Sequence, residues 1–507
     1  MKRRSFISGV GASVVLPAVL GGARVSKSSP YFNNLAASSP LDNENILVLI
    51  QLNGGNDGLN TLVPLEYYDQ LAKARSSVIV PKNELLQIEN DAAMHPSMKG
   101  LYDLYKDEKV SIVESVGYPD PNLSHFRSTD IWTSGSGSDK TEPTGWLGRF
   151  LSTYHTEYPQ AYPTPEFPDP LSLTLGSLVS TTCQGYVSTM GLAFNSFEDF
   201  YALTETGYEN LNDTFAADHI RYINQLIEKT NVYTETLEAA RDAIPATNVE
   251  YPDTRFGGQM KSLVHLINAG LKTKVYVISI SGFDTHANQV ETENESQGLH
   301  YDLLSQVSDS ISAAMRDLQR YENDKKVLFM TFSEFGRRII QNASVGTDHG
   351  EAAPMIFAGT QVDNRIFGDM PVIPDNPERN ENVPMQFDYR AVYYSVLKDW
   401  FDVPEEDFES MGLSGFDHIP IIKKTSSVNE EVSFATGNIY PNPASSHITL
   451  KNNVLLSNES IITINDMNGR QILSFVGGNM SLNIQSLSNG NYYVLVDGKP
   501  FGRFIKN

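Results

Sequence analysis

Carboxylate and imidazole side chains recur beside four apolar segments of the sequence. They are Asp57, Asp284, His286, Glu334, Asp348 and His349. A divalent cation needs several deprotonated oxygen or nitrogen donors from different segments, because one loop rarely encircles an ion. These six side chains are therefore our predicted metal ligands, and they suffice for two ions. Taken singly, each carboxylate could instead cap a helix or accept hydrogen bonds from glycine amides.

The neighbouring apolar segments predict strands of a parallel sheet. They are rich in β-branched residues and do not alternate with polar ones, which is typical of strands buried on both faces. They are Ile46–Ile50, Val110–Val113, Val275–Ile280, Val327–Thr331 and Met355–Ala358. Helical patterns between them complete the alternation of a doubly wound, mainly parallel α/β domain. Because ligands bind at the carboxyl ends of such strands, we expect the six side chains to meet at one edge of the sheet.

The charge and the cysteine content of the sequence exclude some classes of partner and of metal site. Acidic residues outnumber basic ones by 61 to 38, which gives a net charge of −23. Such a chain repels phosphate backbones, so we expect no nucleic-acid partner. Cys183 is the single cysteine of the sequence, which excludes a disulfide framework and a cysteine-rich metal site. Histidine and carboxylate side chains remain as metal ligands.

Residues 1–28 predict an export signal. Basic residues at 2–4 precede the apolar run Gly9–Leu20, which is shorter than the roughly 20 residues that cross a bilayer. The paired arginines followed by Ser5–Ile7 resemble a twin-arginine signal, whose pathway carries folded proteins. An ordinary secretory signal is the alternative. The rest of the sequence lacks an apolar stretch long enough for a membrane span, so we expect no transmembrane helix.

The remainder divides into an α/β domain at 44–425, a linker at 426–435 and a β-sandwich at 436–507. Short apolar alternations separated by turns at Asn468-Gly469 and Asn489-Gly490 predict the sandwich.

This C-terminal segment resembles a known sorting domain. Ile439–Ala444 and the closing Gly490–Val494 are similar to the C-terminal sorting domain of the type IX secretion system. The resemblance implies that export machinery is a partner, and that the protein passes through the periplasm to the cell surface or the extracellular space. A carbohydrate-binding or adhesive module is the alternative.

The loops of the α/β domain resemble the bacterial family DUF1501, which belongs with the alkaline phosphatase and sulfatase superfamily. The resemblance runs from about Asn45 to Val403 and is carried by Leu52–Gly58, His95–Met98, Leu123–Phe126, Gly282–His286 and Ser333–Arg337. It implies an alkaline-phosphatase-like fold with bound divalent metal ions, in which Asp57 corresponds to the metal aspartate of the first strand.

The same resemblance implies roles for the later positions. Asp284 and His286 are similar to the Asp/His pair of one metal site, and His349 is similar to a late histidine that precedes a strand. Either Glu334 stands in place of a customary Asp-His pair, or Asp348 together with His349 is that pair.

The nucleophile departs from the superfamily pattern. There, a Ser, Thr or formylglycine begins a helix that ends in glycine, where backbone amides favour an anion. Counting back from Gly135 places His125 at this position, with Ser124 beside it. Ser124 could shift into place, His125 could attack, or a metal-bound hydroxide could act directly. Arg127 could pair with a phosphate or sulfate oxygen.

These features together predict an exported metal-dependent hydrolase of phosphate or sulfate esters. Its substrate would be an anionic ester, such as one carried by a polysaccharide, and its cofactors two divalent ions. Histidine with carboxylate favours zinc or manganese, with calcium and magnesium as alternatives. The competing hypothesis is a non-catalytic binding or assembly protein, secreted or at the cell surface, that keeps a phosphatase-like fold.

Overall fold

The computed structural model describes residues 43–195, 231–423, 438–451, 461–465, 471–476, 481–496 and 499–507. The predicted export signal and linker lie outside these ranges. The chain divides into two compact units after Lys423, and each is described by itself.

Fourteen strands and eight α-helices of the first unit lie wholly within the described residues, and residues 231–243 are also helical. The strands are Ile46–Asn53 (β1), Leu62–Pro64 (β2), Leu86–Gln87 (β3), Ala92–Met94 (β4), Val110–Gly117 (β5), Ser172–Leu175 (β6), Leu192–Phe194 (β7), Val275–Ser281 (β8), Val327–Phe332 (β9), Arg337–Gln341 (β10), Thr347–His349 (β11), Ala353–Ala358 (β12), Ile366–Phe367 (β13) and Phe387–Asp388 (β14). The α-helices are Gly58–Thr61 (α1), Tyr68–Ala74 (α2), Lys99–Lys106 (α3), His125–Ser134 (α4), Trp146–Tyr154 (α5), Arg255–Asn268 (α6), Leu299–Gln319 (α7) and Tyr389–Trp400 (α8).

A nine-stranded sheet forms the centre of this unit. Its order is β13-β5-β12-β9-β1-β8-β6-β7, and β14 also pairs with β5. Strand β1 runs parallel to both of its neighbours, β8 and β9. Strand β12 is antiparallel to both β5 and β9. The predicted mainly parallel α/β sheet is confirmed.

Both faces of the sheet are buried, as the unalternating apolar runs require. Along β1, Val48 and Ile50 pack with residues of α6 and α7 on one face. Leu47 and Leu49 pack with residues of α4, α5 and α8 on the other face. All four are fully buried, and each such side chain stabilises the fold by about 1.5–3 kcal/mol.

Parallel pairing brings the carboxyl ends of β1, β8 and β9 to one edge of the sheet. The loops that follow β1 and β8 touch there at Gly54, which has a φ of +126°. A Cβ atom at Gly54 would lie 2.1 Å from the backbone nitrogen of Asp284. Glycine is therefore required both for the backbone conformation and for the close approach of the two loops.

A fully buried ion pair ties the loop after β1 to strand β10. The Arg75 guanidinium donates to both carboxylate oxygens of Asp57 at 2.9 Å, and its Nε donates to the carbonyl of Ile339 at 2.9 Å. Burial raises the pKa of Asp57, but the charge and hydrogen bond of Arg75, with other neighbours, hold it below its ordinary value. Asp57 is therefore ionised in the folded protein.

The second unit contains seven strands in its described residues. They are Asn438–Tyr440 (β15), His447–Lys451 (β16), Ile461–Asn465 (β17), Gln471–Val476 (β18), Ser481–Asn483 (β19), Gly490–Val496 (β20) and Lys499–Lys506 (β21). They form two antiparallel sheets, β15-β16-β19 and β18-β17-β20-β21. Ile448, Ile462 and Val494, from both sheets, share one hydrophobic core, which confirms the predicted β-sandwich. Within the described ranges of the chain, every helix is too short or too polar to cross a bilayer.

The Asp57→Ala substitution should destabilise the first unit strongly, because it leaves the Arg75 charge buried without a partner. We expect a loss of about 3–5 kcal/mol in the free energy of unfolding at neutral pH. Urea titration followed by tryptophan fluorescence measures this unit, since all three tryptophans, Trp132, Trp146 and Trp400, are buried in it.

The matched control is Asp103→Ala, which removes the exposed partner of Lys99 and should cost less than about 1 kcal/mol. Because the folded-state pKa of Asp57 is lowered, its contribution is fully present above the ordinary carboxyl pKa of about 3.9 and falls as the pH drops through the lowered value. Equal stabilities of the two variants at pH 7 would contradict the assignment.

Candidate metal centre

Three imidazoles converge on the carboxylate of Asp284 at the edge of the sheet. The Nε2 atoms of His286 and His349 lie 3.2 and 3.3 Å from Asp284 Oδ1. The Nε2 atom of His125 lies 3.5 Å from Asp284 Oδ2. Ligand atoms of His125, Asp284 and His349 all lie within 4.8 Å of one another. His286 is not part of this set of three, although its Nε2 lies beside Asp284 and His349.

The other ring nitrogen of each histidine faces a hydrogen-bond acceptor. The Nδ1 atoms lie 2.8 Å from Glu334 Oε1 for His125, 3.1 Å from Asp348 Oδ1 for His286 and 2.8 Å from the Leu123 carbonyl for His349. Carboxylates and carbonyls only accept, so each Nδ1 carries a proton. In the neutral ring, each Nε2 would then present a lone pair toward Asp284.

This arrangement places acceptors against acceptors. The Nε2 atoms of His286 and His349 are 2.8 Å apart, and both adjoin the same oxygen of Asp284. Three lone pairs at such distances repel one another unless a cation or a proton lies among them. Metal-ligating histidines characteristically donate their second ring N–H to a carboxylate or a backbone carbonyl. The donor set therefore fits a divalent cation.

The charge states agree with this description. Burial lowers the pKa of His349, and the charge of Arg337 lowers it too, outweighing the opposing hydrogen bonds to the Leu123 carbonyl and Asp284. Burial raises the pKa of Asp284, but the hydrogen bond and charge of Arg337, with His349 and His286, bring it below its ordinary value. Near neutral pH, His349 offers a lone pair and Asp284 a negative charge.

Arg337 holds the carboxylate of Asp284 in place. Its guanidinium is fully buried and donates to Asp284 Oδ1 at 2.8 Å. The same group donates to the carbonyls of Gly55 and Thr347 at 2.7 Å each and to that of Phe283 at 3.1 Å. It also donates to the Gly54 carbonyl. One side chain thus joins the loops after β1 and β8 to strand β11.

Two of the predicted ligands, Glu334 and Asp348, instead contact the Nδ1 atoms of His125 and His286 and orient these rings. The side chain of Glu334 is 3% exposed, and its Oε1 accepts from the Gly54 amide at 2.8 Å as well as from His125. Asp348 Oδ1 accepts from Asn342 Nδ2 at 3.1 Å as well as from His286. These oxygens are occupied by hydrogen bonds, so the two residues are positioned to hold the rings in place.

Asp57 does not join the cluster that we expected it to join. Both of its oxygens are bonded by Arg75, and Gln289 Nε2 donates to Oδ2 at 2.6 Å. Gln289 Oε1 accepts in turn from Thr285 at 3.0 Å and from Thr347 at 2.8 Å. The carboxylate turns inward at the start of α1 because a buried guanidinium is there to neutralise it. Through Gln289, the Asp57 carboxylate is linked to Thr285 and Thr347, which are the neighbours of Asp284 and Asp348 in the sequence.

The three predicted catalytic residues have different surroundings. Helix α4 begins at His125 and ends before Gly135, whose φ is 70°, as the sequence pattern predicts. Ser124 precedes the helix, is exposed and makes no side-chain capping hydrogen bond. Arg127 Nη2 donates to the Ser138 carbonyl at 3.1 Å and also to the Lys140 carbonyl, which ties it to the loop after α4.

Sequence reasoning missed the supporting residues. Arg337 and Leu123 lie in motifs quoted for the family resemblance, but neither had a role assigned to it. Arg75 and Gln289 lie outside those motifs, and an isolated arginine or glutamine gives no sign that it will be buried. Their partners are 18 and 232 positions away from them along the chain, so only the folded structure reveals the contacts.

The Arg337→Lys substitution should destabilise the first unit by about 3–5 kcal/mol, because a point-like ammonium cannot replace the planar fork that reaches four carbonyls and Asp284. The control, Arg365→Lys, changes an exposed arginine paired with Asp363 and should cost less than about 1 kcal/mol. Tryptophan fluorescence during urea unfolding measures both. Indistinguishable unfolding curves for the two variants would refute the role of Arg337.

Solved structures that match the chain include a sulfatase and a periplasmic domain. PsFucS1 sulfatase from Pseudoalteromonas sp. is 11% identical, with 90% of this chain and 84% of that chain covered at a TM-score of 0.33. Ps i-CgsB in complex with k-i-k-neocarrahexaose is 10% identical, with 73% and 74% covered at a TM-score of 0.33. The C-terminal periplasmic domain of EcEptC from Escherichia coli, in complex with Zn, is 10% identical, with 64% and 75% covered at a TM-score of 0.29. None of the curated proteins compared with the chain matches it.

Two family models match the sequence. Residues 438–500 match the secretion system C-terminal sorting domain, which confirms export through the type IX system to the cell surface or the outside. Residues 111–407, more than half of the chain, match the model described as protein of unknown function (DUF1501). The chain therefore belongs to the DUF1501 family.

Proposed function

We propose that this protein is an exported metal-dependent hydrolase of phosphate or sulfate esters. The observation that carries the proposal is the set of three imidazole Nε2 atoms gathered around one ionised carboxylate, with every Nδ1 beside an acceptor. Such a donor set is unfavourable in the absence of a cation and well suited to its presence.

We propose one ion at this centre in place of the two predicted from the sequence. Its ligands would be His125, His349 and Asp284, while Glu334 and Asp348 orient the rings of His125 and His286. Two imidazole nitrogens and one carboxylate oxygen favour zinc, with manganese as the alternative. When bound, such a cation polarises an ester oxygen and activates a hydroxyl nucleophile.

The residues around the centre suit an anionic ester. Helix α4 starts at His125, so the positive end of its dipole and its first backbone N–H groups lie beside the cluster. Ser124, exposed and adjacent to His125, is the hydroxyl that we assign as the attacking group. His125 then acts as a ligand instead of a nucleophile. Arg127 holds the loop at 138–140 and has no assigned contact with substrate.

The surroundings of the protein are consistent with this function. An exported enzyme meets its substrate outside the cytoplasm, where anionic esters of polysaccharides are available to it. A positive ion at the centre would also explain how a chain with a net charge of −23 attracts an anion at this one point.

Metal content tests the centre. Elemental analysis of the purified wild type should find about one equivalent of a transition metal, and Asp284→Ala should lose nearly all of it. Glu334→Gln, which weakens the orientation of His125, should lower metal affinity about 10–100-fold. The control Asp103→Ala should keep the wild-type content. Full metal content in Asp284→Ala would contradict the ligand assignment.

Turnover tests the reaction. The metal-loaded wild type should hydrolyse aryl phosphate or aryl sulfate, and His349→Ala or Ser124→Ala should lower kcat by about 100-fold or more. Ser410→Ala, an exposed serine of the first unit, is the control. A protein that binds metal but cleaves none of a broad panel of esters would favour the non-catalytic binding or assembly hypothesis.

A further inference from the structure

Strand β8 has an uncovered polar end beside the proposed metal centre. It lies inside the sheet between β1 and β6, and its first two residues on one face, Val275 and Val277, are buried. The next two on that face, Ser279 and Ser281, are exposed. Within the described residues, this face of the sheet is therefore open where β8 ends.

The neighbouring residues turn this opening into a groove. Gln51 pairs in register with Ser279, and Thr174 pairs with Val277, which extends the polar floor over three strands. Thr129 and Thr133 of α4 line the facing wall. The cavity has a volume of about 570 Å³, within the range of about 300–1,000 Å³ that is typical of small-molecule sites.

The groove continues to the metal centre along two elements. On α4, His125, Thr129 and Thr133 follow one another at four-residue spacing and therefore share a face of the helix. On the other side, Ser281 precedes Asp284 by three residues. A molecule whose ester group reaches His125 and Asp284 can therefore place its remaining atoms in the groove.

The residues that line the groove indicate the chemistry of the part of the ligand that binds there. Of the described residues that line the groove, none is Asp or Glu, and Arg255 is the one with a charge, although the chain as a whole is strongly acidic. Hydroxyl and amide side chains dominate its polar part, and these groups both donate and accept hydrogen bonds. This pattern complements a ligand that carries many neutral hydroxyl groups.

We infer that this groove binds a saccharide unit, the uncharged polyol part of an ester substrate. The inference rests on the proposed function for the identity of the ester, but the groove itself contains no metal ligand. Arg255 at its rim accommodates an additional anionic substituent on the sugar.

Binding of neutral saccharides tests the groove separately from catalysis. Titration calorimetry with galactose, glucose, N-acetylglucosamine and maltose should detect binding of at least one of them to the full chain. Ser279→Tyr places a large side chain in the open groove, where the serine is already exposed, and should weaken that binding about tenfold or more. Ser410→Tyr, at an exposed position away from the groove lining, should bind like wild type.

The outcomes separate this inference from the proposed function. Asp284→Ala should retain saccharide binding, since it removes a metal ligand and no groove residue. If Asp284→Ala loses metal and turnover but still binds the saccharide, the inference about the groove is supported. Failure of all four sugars to bind wild type, or equal binding to wild type and Ser279→Tyr with unchanged unfolding curves, would overturn the inference, whatever the metal assays show.

Discussion

The buried guanidinium of Arg337 is the contact on which the geometry of the candidate site depends. The loops after β1 and β8 and strand β11, which are far apart in the sequence, present backbone carbonyl groups at this edge of the sheet. Arg337 gathers the carbonyls of Gly54, Gly55, Phe283 and Thr347 and neutralises Asp284. An arginine is suited to this position because its five donors lie in one plane and its charge persists at any physiological pH.

A second layer of polar contacts determines what the imidazoles can do. Each histidine gives its Nδ1 proton to a carboxylate or to a backbone carbonyl. This removes the choice of tautomer and directs three Nε2 atoms toward Asp284. The convergence carries an electrostatic cost in the empty state, and a bound cation would remove it. The carboxylates of Glu334 and Asp348 thus matter through the rings that they hold.

The fold and the meeting place of the polar residues follow from local sequence patterns. The β-branched runs predict buried parallel strands, and parallel strands bring Asp284 and Glu334 to one edge. Which of the six predicted residues would bind metal and which would orient a histidine could not be predicted. The two kinds of carboxylate look alike in the sequence. Asp57 shows this most clearly, since its role depends on Arg75, a buried residue without a sequence signal. The exposure of the serines at the end of β8 likewise could not be predicted, because it depends on how the described elements pack around that strand.

The central claim is that His125 and His349 bind one cation together with Asp284. X-ray absorption at the edge of the bound metal, measured on the purified full chain, tests it most directly. The account predicts a first coordination shell of about two imidazole nitrogens and at least one carboxylate oxygen, at the distances of about 2.0–2.2 Å typical of zinc. A shell made of oxygen alone, without imidazole scattering, would contradict the account.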